Sequence, residues 1–187
     1  HNLNQELAHI AALHVTPSVS CDINKCPISD VRFFHDKVRL FYDFDPASIL
    51  VHRTESEIID GVLIYTHDET VFNRFAGRLS TRLIKRAAKM IAGYYGLRFT
   101  KYRKSLRAMR GDYVKLYPGA EKREMFGKIW VLIVAEESRR RGIAARLITG
   151  CIDAMQKRGG HCLQVTAKKE NVPAIRAYEK RGFQTIG

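Results

Sequence analysis

Residues 139–144 read Arg139-Arg140-Arg141-Gly142-Ile143-Ala144, just after an apolar run at 131–134 and a short turn at 135–138. The run they open is amphipathic at helical spacing, so the arginines stand where a helix begins. The first backbone N–H groups of a helix lack internal partners, and the helix dipole adds positive charge there. Acids stabilise that position and cations do not, so three arginines are electrostatically misplaced unless an anion joins them. Gly142 removes a Cβ where a ligand could come close, and Ala144 is nearly as small. Several N–H to phosphate bonds, at about 1.5–3 kcal/mol each, would anchor a diphosphate. The spacing therefore predicts a pyrophosphate seat, with a solvated first turn as the plain alternative. A second cluster begins at Asn171, which sits where a helix cap belongs; Pro173 suits a first turn, and Ala174 and Tyr178 lie four apart on one helical face.

Two common phosphate loops are excluded: neither G-x-x-x-x-G-K-S/T nor G-x-G-x-x-G occurs. R-x-x-G-I-A after an apolar strand, followed in order by N-x-x-A-x-x-x-Y-x-x-x-G-F from Asn171 to Phe183, resembles the GNAT superfamily of N-acetyltransferases. The resemblance is detailed over residues 48–187 and looser over the amino-terminal helices. It implies an α/β fold whose mixed sheet, flanked by helices, splays open beside residues 132–134. It further implies that Leu132, Ile133 and Val134 line the pantetheine arm of acetyl-CoA, the acyl donor. Arg139, Arg140, Arg141, Gly142, Ile143 and Ala144 would then hold the pyrophosphate, and Asn171 and Ala174 would contact CoA. Tyr178 would protonate the leaving thiolate, and a strand N–H near Val134 would stabilise the oxyanion. The alternative for Tyr178 is an amphipathic core residue with its hydroxyl at the surface.

An acceptor amine with a pKa near that of lysine, about 10.4, must lose a proton before attack. Many members of the family place a carboxylate on or near the fourth strand for this, but residues 126–134 contain none. Glu124, just before that strand, is the candidate base, with Glu121 earlier; the alternative is a water relay ending on a backbone carbonyl or on His67. His52, His67 and His161 otherwise read as ordinary strand or surface histidines, and Trp130 as a core or cleft-wall aromatic.

The elements that must position these residues are read from periodicity. Residues 3–13 and 31–44 read as helices, the second capped by Ser29 and stopped at Asp45 and Pro46. Residues 48–54 and 57–66 read as a β-hairpin. Residues 71–117 read as a basic helical pair inserted before the central strand at 126–134, an insertion that resembles members related to puromycin N-acetyltransferase. A helix at 139–158, a strand at 161–167, a helix at 172–181 and a terminal strand complete an α/β alternation in one domain, 1–187, with 126–187 as its acetyl-CoA-binding half. The family usually opens with a strand before its first helix and closes with one after the G-F strand. Neither is found at those places in this sequence; the open alternatives are that each falls outside the given residues, lies elsewhere in them, or comes from a partner chain, which makes a homodimer a candidate state.

The formal net charge is +13, and twelve lysines and arginines with no acid fall between Thr70 and Gly111. Such a field attracts polyanions and repels polycations. The expected reaction is direct acetyl transfer to a primary amine, with a small-molecule acceptor favoured. An RNA-linked or protein amine is the alternative, and a catalytically silent CoA-binding sensor is the rival from another class. No apolar stretch approaches the roughly 20 residues that span a bilayer, and the first residues lack the build of a signal peptide, so no membrane partner and a cytoplasmic location are expected. Cys21, Cys26, Cys151 and Cys162 read as free thiols, with no metal site expected.

Overall fold

The computed structural model describes residues 3–15, 31–78, 85, 88–89, 91–94, 113–118, 127–160 and 162–186. Its chain gathers into two compact units, residues 1–44 with 73–111 and residues 45–72 with 112–187.

In the first unit, α1 (Leu3–Leu13) packs on α2 (Val31–Phe44). Leu7, Ile10, Phe34, Val38 and Phe41 recur at helical spacing, and all are buried. His14, just past α1, is buried against Phe34, with ring centroids 4.8 Å apart. Its Nδ1–H donates to the Ile10 carbonyl at 3.0 Å, while its Nε2 has no partner. Lys89 pairs with Asp36 at 2.9 Å, and both Arg32 and Lys89 lie over the Tyr94 ring. Ser29, the expected cap of α2, lies outside the described residues.

The second unit is built on a six-stranded mixed sheet. Its strands are β1 (Ile49–Arg53), β2 (Ile59–Thr66), β3 (Tyr113–Pro118), β4 (Gly127–Val134), β5 (Leu163–Lys168) and β6 (Phe183–Ile186), in the spatial order β1-β2-β4-β5-β3-β6. Only β4 and β5 run parallel; every other neighbouring pair is antiparallel. A helix, α3 (Glu69–Arg78), comes after β2. One face of the sheet carries α4 (Ile143–Lys157) and α5 (Val172–Glu179), which bury Ile148, Cys151, Met155 and Tyr178 over Leu63, Tyr65 and Val165. Each such side chain contributes roughly 1.5–3 kcal/mol on leaving water.

Two expectations need correction. Residues 113–117 are not the end of a helical insertion; they form β3, which pairs with β5 on one side and β6 on the other. The physical reason lies in the pattern: Tyr-Val-Lys-Leu-Tyr alternates with period two, and Pro118 ends the run. β3 thus supplies, from elsewhere in the chain, a strand beside the one that holds Phe183. The helical reading holds for α3 and for residues 85, 88–89 and 91; the rest of the basic segment lies outside the described residues. The second correction concerns the arginines: α4 starts at Ile143, not Arg139. Arg140 (φ 62°) and Gly142 (φ 76°) are left-handed, a conformation that no right-handed helix continues through.

Candidate active site

The site starts from an irregularity in β4. β2 pairs Ile64 with Val131 and Tyr65 with Ile129, so Trp130 is an extra, bulged residue. Its indole Nε1–H donates to the Thr66 hydroxyl at 3.0 Å, its ring packs on Phe72 and Lys128 lies over it at 4.4 Å. The same place ends the pairing with β5, which runs only through Gly127↔Leu163, Lys128↔Gln164 and Ile129↔Val165. β2, by contrast, accompanies β4 to Val134. Among the described residues, no strand pairs with β4 on the side of β5 from Trp130 to Val134.

One bond decides which main-chain groups face that opening. The Ala135 N–H donates to the Asp60 carbonyl at 2.8 Å, so in an antiparallel ladder Ile133 and Val131 turn their peptide groups to β2. Leu132 and Val134 turn theirs to the open side. Of the three residues expected to line pantetheine, these two offer the backbone, and Ile133 offers none there. Arg139 Nε–H already donates to the Val134 carbonyl at 3.3 Å.

The open edge runs into a turn. Glu136–Ser138 forms one 3-10 turn, Arg139 is extended, and Arg140, Arg141 and Gly142 are exposed and lead into α4. The helix start at Gly142 has no side-chain cap. The first intrahelical bond is Arg146 N–H to the Gly142 carbonyl, which leaves the N–H groups of Ile143, Ala144 and Ala145 without helical partners. Arg139, Arg140 and Arg141 precede them in the chain, so among the described residues the turn offers helix-start N–H donors and positive charge to an anion.

Asp60, Gly61, Ser138 and Arg146 had no role in the sequence reading, and His52 was read there as an ordinary strand or surface histidine. β1 pairs His52 with Gly61 and Arg53 with Ile59, so Asp60 is bulged and its side chain re-aimed. Its buried carboxylate accepts His52 Nδ1–H at 2.5 Å and also bonds Ser138. Burial pushes that carboxyl up, but the bonds from His52 and Ser138 outweigh it and hold it below the ordinary aspartate value. With Nδ1 donating, Nε2 of His52 is the acceptor, and Arg146 Nη2 donates to it at 3.0 Å. Gly61 lets α4 approach: a Cβ there would lie 2.7 Å from Ile143 Cγ2. A lone aspartate before a glycine inside an apolar strand was the available signal.

The second cluster forms as expected. Asn171 Oδ1 accepts the Ala174 N–H at 3.3 Å and caps α5. Ala174 packs on the core, and Tyr178 is buried within it, 5.4 Å from the Phe183 ring. Burial pushes the Tyr178 hydroxyl above its ordinary pKa, which keeps it protonated at neutral pH. Of the candidate bases, Glu121 and Glu124 lie outside the described residues. His67 is near Asp45 (3.7 Å) and Arg158 (3.4 Å), beyond the Thr66↔Lys128 pair, whereas Val134 faces Gly61 at the other end of β2. Asp45 also holds Arg158, whose pKa the contact raises. Cys151 and Cys162 are buried thiols outside any disulfide, and Cys21, Cys26 and His161 lie outside the described residues.

The sequence model of the acetyltransferase (GNAT) family matches residues 21–183, most of the chain. The chain belongs to the GNAT family. Mycothiol acetyltransferase of Corynebacterium aurimucosum is 34% identical over 64 residues, which make up 34% of this chain and 21% of that protein. The chain therefore spans about a fifth of the length of this curated relative. A solved structure described as a GNAT acetyltransferase from Novosphingobium aromaticivorans is 34% identical, with a TM-score of 0.31, covering 33% of this chain and 27% of that one. A second solved acetyltransferase is 14% identical, with a TM-score of 0.45, covering 84% and 71%. Among the described residues, no helix is long and apolar enough to cross a membrane.

Proposed function

We propose that this GNAT member is an acetyl-CoA-dependent N-acyltransferase that moves an acetyl group directly to the primary amine of a small molecule. One observation carries the reading: among the described residues, a strand edge at Leu132 and Val134 that no neighbouring strand pairs with leads straight into a helix start without a side-chain cap, preceded by Arg139, Arg140 and Arg141. That sequence of groups fits a ligand with an amide-bearing arm followed by a diphosphate, the arm pairing with backbone as an added strand does. Asn171 and Ala174 contribute from the start of α5.

In the reaction the amine lone pair attacks the thioester carbonyl carbon while the developing oxyanion meets an open-edge N–H, that of Leu132 or Val134. The carbon–sulfur bond breaks, and the thiolate takes the proton of Tyr178. Glu124, or a water relay, accepts the proton of the amine. Burial raises the Tyr178 pKa and so weakens it as an acid, which means its donation must be driven by the thiolate charge forming beside it in the closed site. The acidless basic segment from Thr70 to Gly111 disfavours a polycationic acceptor. A relative named for mycothiol, rather than for a protein or nucleic acid, supports a small acceptor.

The test is an amine panel with acetyl-CoA, monitored by free-thiol release, together with CoA calorimetry. Amine-dependent thiol release, with a Tyr178→Phe variant that keeps CoA affinity and loses rate, supports the proposal. CoA binding without turnover for any amine points to a sensor module instead. Absence of binding heat at modest ionic strength ends the reading.

A further inference from the structure

The phosphate turn is held from below by a buried charge on a neighbouring strand. We infer that Asp60 is a positioning residue for the CoA-phosphate turn, acting through Ser138 on one side and through His52 and Arg146 on the other. The inference rests on the CoA reading of the turn.

Three bonds converge at this one bulged residue. The Asp60 carbonyl takes the Ala135 N–H, where β4 becomes the turn. The carboxylate takes a bond from Ser138, the last residue of the 3-10 turn before the arginines, and Ser138 is itself buried. The remaining arm passes through His52 to Arg146, one turn into α4. The two flanks of residues 139–145 are thereby tied to the same carboxylate, with Gly61 beside it allowing Ile143 to close on the sheet. The turn carries two left-handed residues and no helix cap, so its own backbone bonds alone do not hold it. Its unpaired N–H groups converge only while both flanks are fixed, and fixing them before the ligand arrives removes an ordering cost from binding. Asp60 must be ionised to accept from both partners, and both bonds favour that ionised form.

The experiment compares the wild-type chain with Asp60→Ala, Asp60→Asn, Ser138→Ala and His52→Phe by amide hydrogen exchange and by CoA calorimetry. Exchange is read at Ala135, Ser138, Arg139 and Arg146, with the amides of Ile148, Cys151 and Met155 as an internal reference. Asp60→Ala is expected to speed exchange at the first set by about tenfold, leave the reference set unchanged and weaken CoA by about tenfold, the size of one lost charge-assisted bond. Asp60→Asn keeps one acceptor oxygen, for His52, but loses the charge and the second acceptor, so it should recover only part of both. Ser138→Ala and His52→Phe should each show part of the effect, and they decide the matter if Asp60→Ala fails to fold. Unchanged exchange at the turn, or equal acceleration at the reference amides, overturns the inference. If the wild type does not bind CoA, the functional reading falls while the exchange data still decide the role of Asp60.

Discussion

Replacing Gly142 by alanine separates the backbone of the phosphate turn from its function. Gly142 has φ 76°, and a Cβ built there meets nothing within 4 Å. The free protein therefore suffers conformational strain and no clash, about 1 kcal/mol for an alanine in the left-handed region. For a chain of this size that is a fall in Tm of roughly 2–4 °C. If CoA binds as proposed, the same Cβ lies next to the helix-start N–H groups of Ile143, Ala144 and Ala145, where the diphosphate would approach. Displacing one charge-assisted bond of about 1.5–3 kcal/mol weakens CoA by roughly ten- to a hundredfold. Gly159 supplies the control: it has φ 71° and equally open space, but it lies past the far end of α4. Thermal melts and CoA calorimetry on Gly142→Ala and Gly159→Ala should show similar losses of Tm, with affinity falling only in the first. Equal affinities in the two variants would refute the placement of the phosphates.

Gly61→Ala should act through packing: its Cβ would meet Ile143 Cγ2 at 2.7 Å and Leu147 Cδ1 at 3.2 Å, an overpacking cost of about 1–3 kcal/mol. Pushing the start of α4 off the sheet should lower both Tm and CoA affinity, and retention of full affinity in a destabilised variant would sink the idea. In the first unit, burial drives the pKa of His14 down to about 4, against a smaller opposing effect of its bond to Ile10. The unfolded chain binds a proton below about 6.5 that the folded one refuses until about 4, so stability falls as pH drops through that window. The whole gap amounts to about 3 kcal/mol. Melts of wild type and His14→Phe at neutral pH and near pH 4.5 should show the loss only in wild type, and a parallel loss in both assigns it to other groups.

The break between β4 and α4 and the cap of α5 were legible because their chemistry is local. Arginines before a small-residue helix start, and an Asn-x-x-Ala-x-x-x-Tyr run, declare themselves within one segment. The hairpin, the central strand and α4 were legible for the same reason, since periods of 2 and 3.6 survive in short windows. β3 escaped because five residues of alternation came after a long basic run of helical period. The true start of α4 escaped because arginines favour helices as well as they tolerate turns, and nothing in their identity announces a left-handed Arg140.

The device that holds the turn could not be read in this way. Asp60 meets Ser138 and, through His52, Arg146, contacts that exist only once β1, β2 and α4 are assembled. The bulges at Asp60 and Trp130 are register shifts, and register is a relation between strands rather than a property of either one. Yet those two bulges decide the site: one frees the edge of β4 at Leu132 and Val134, and the other aims the carboxylate that steadies the turn. On the proposed function, a shift of register at Trp130 should matter more than its chemistry, because re-pairing β4 with β5 beyond Ile129 would close the edge proposed for the acyl donor.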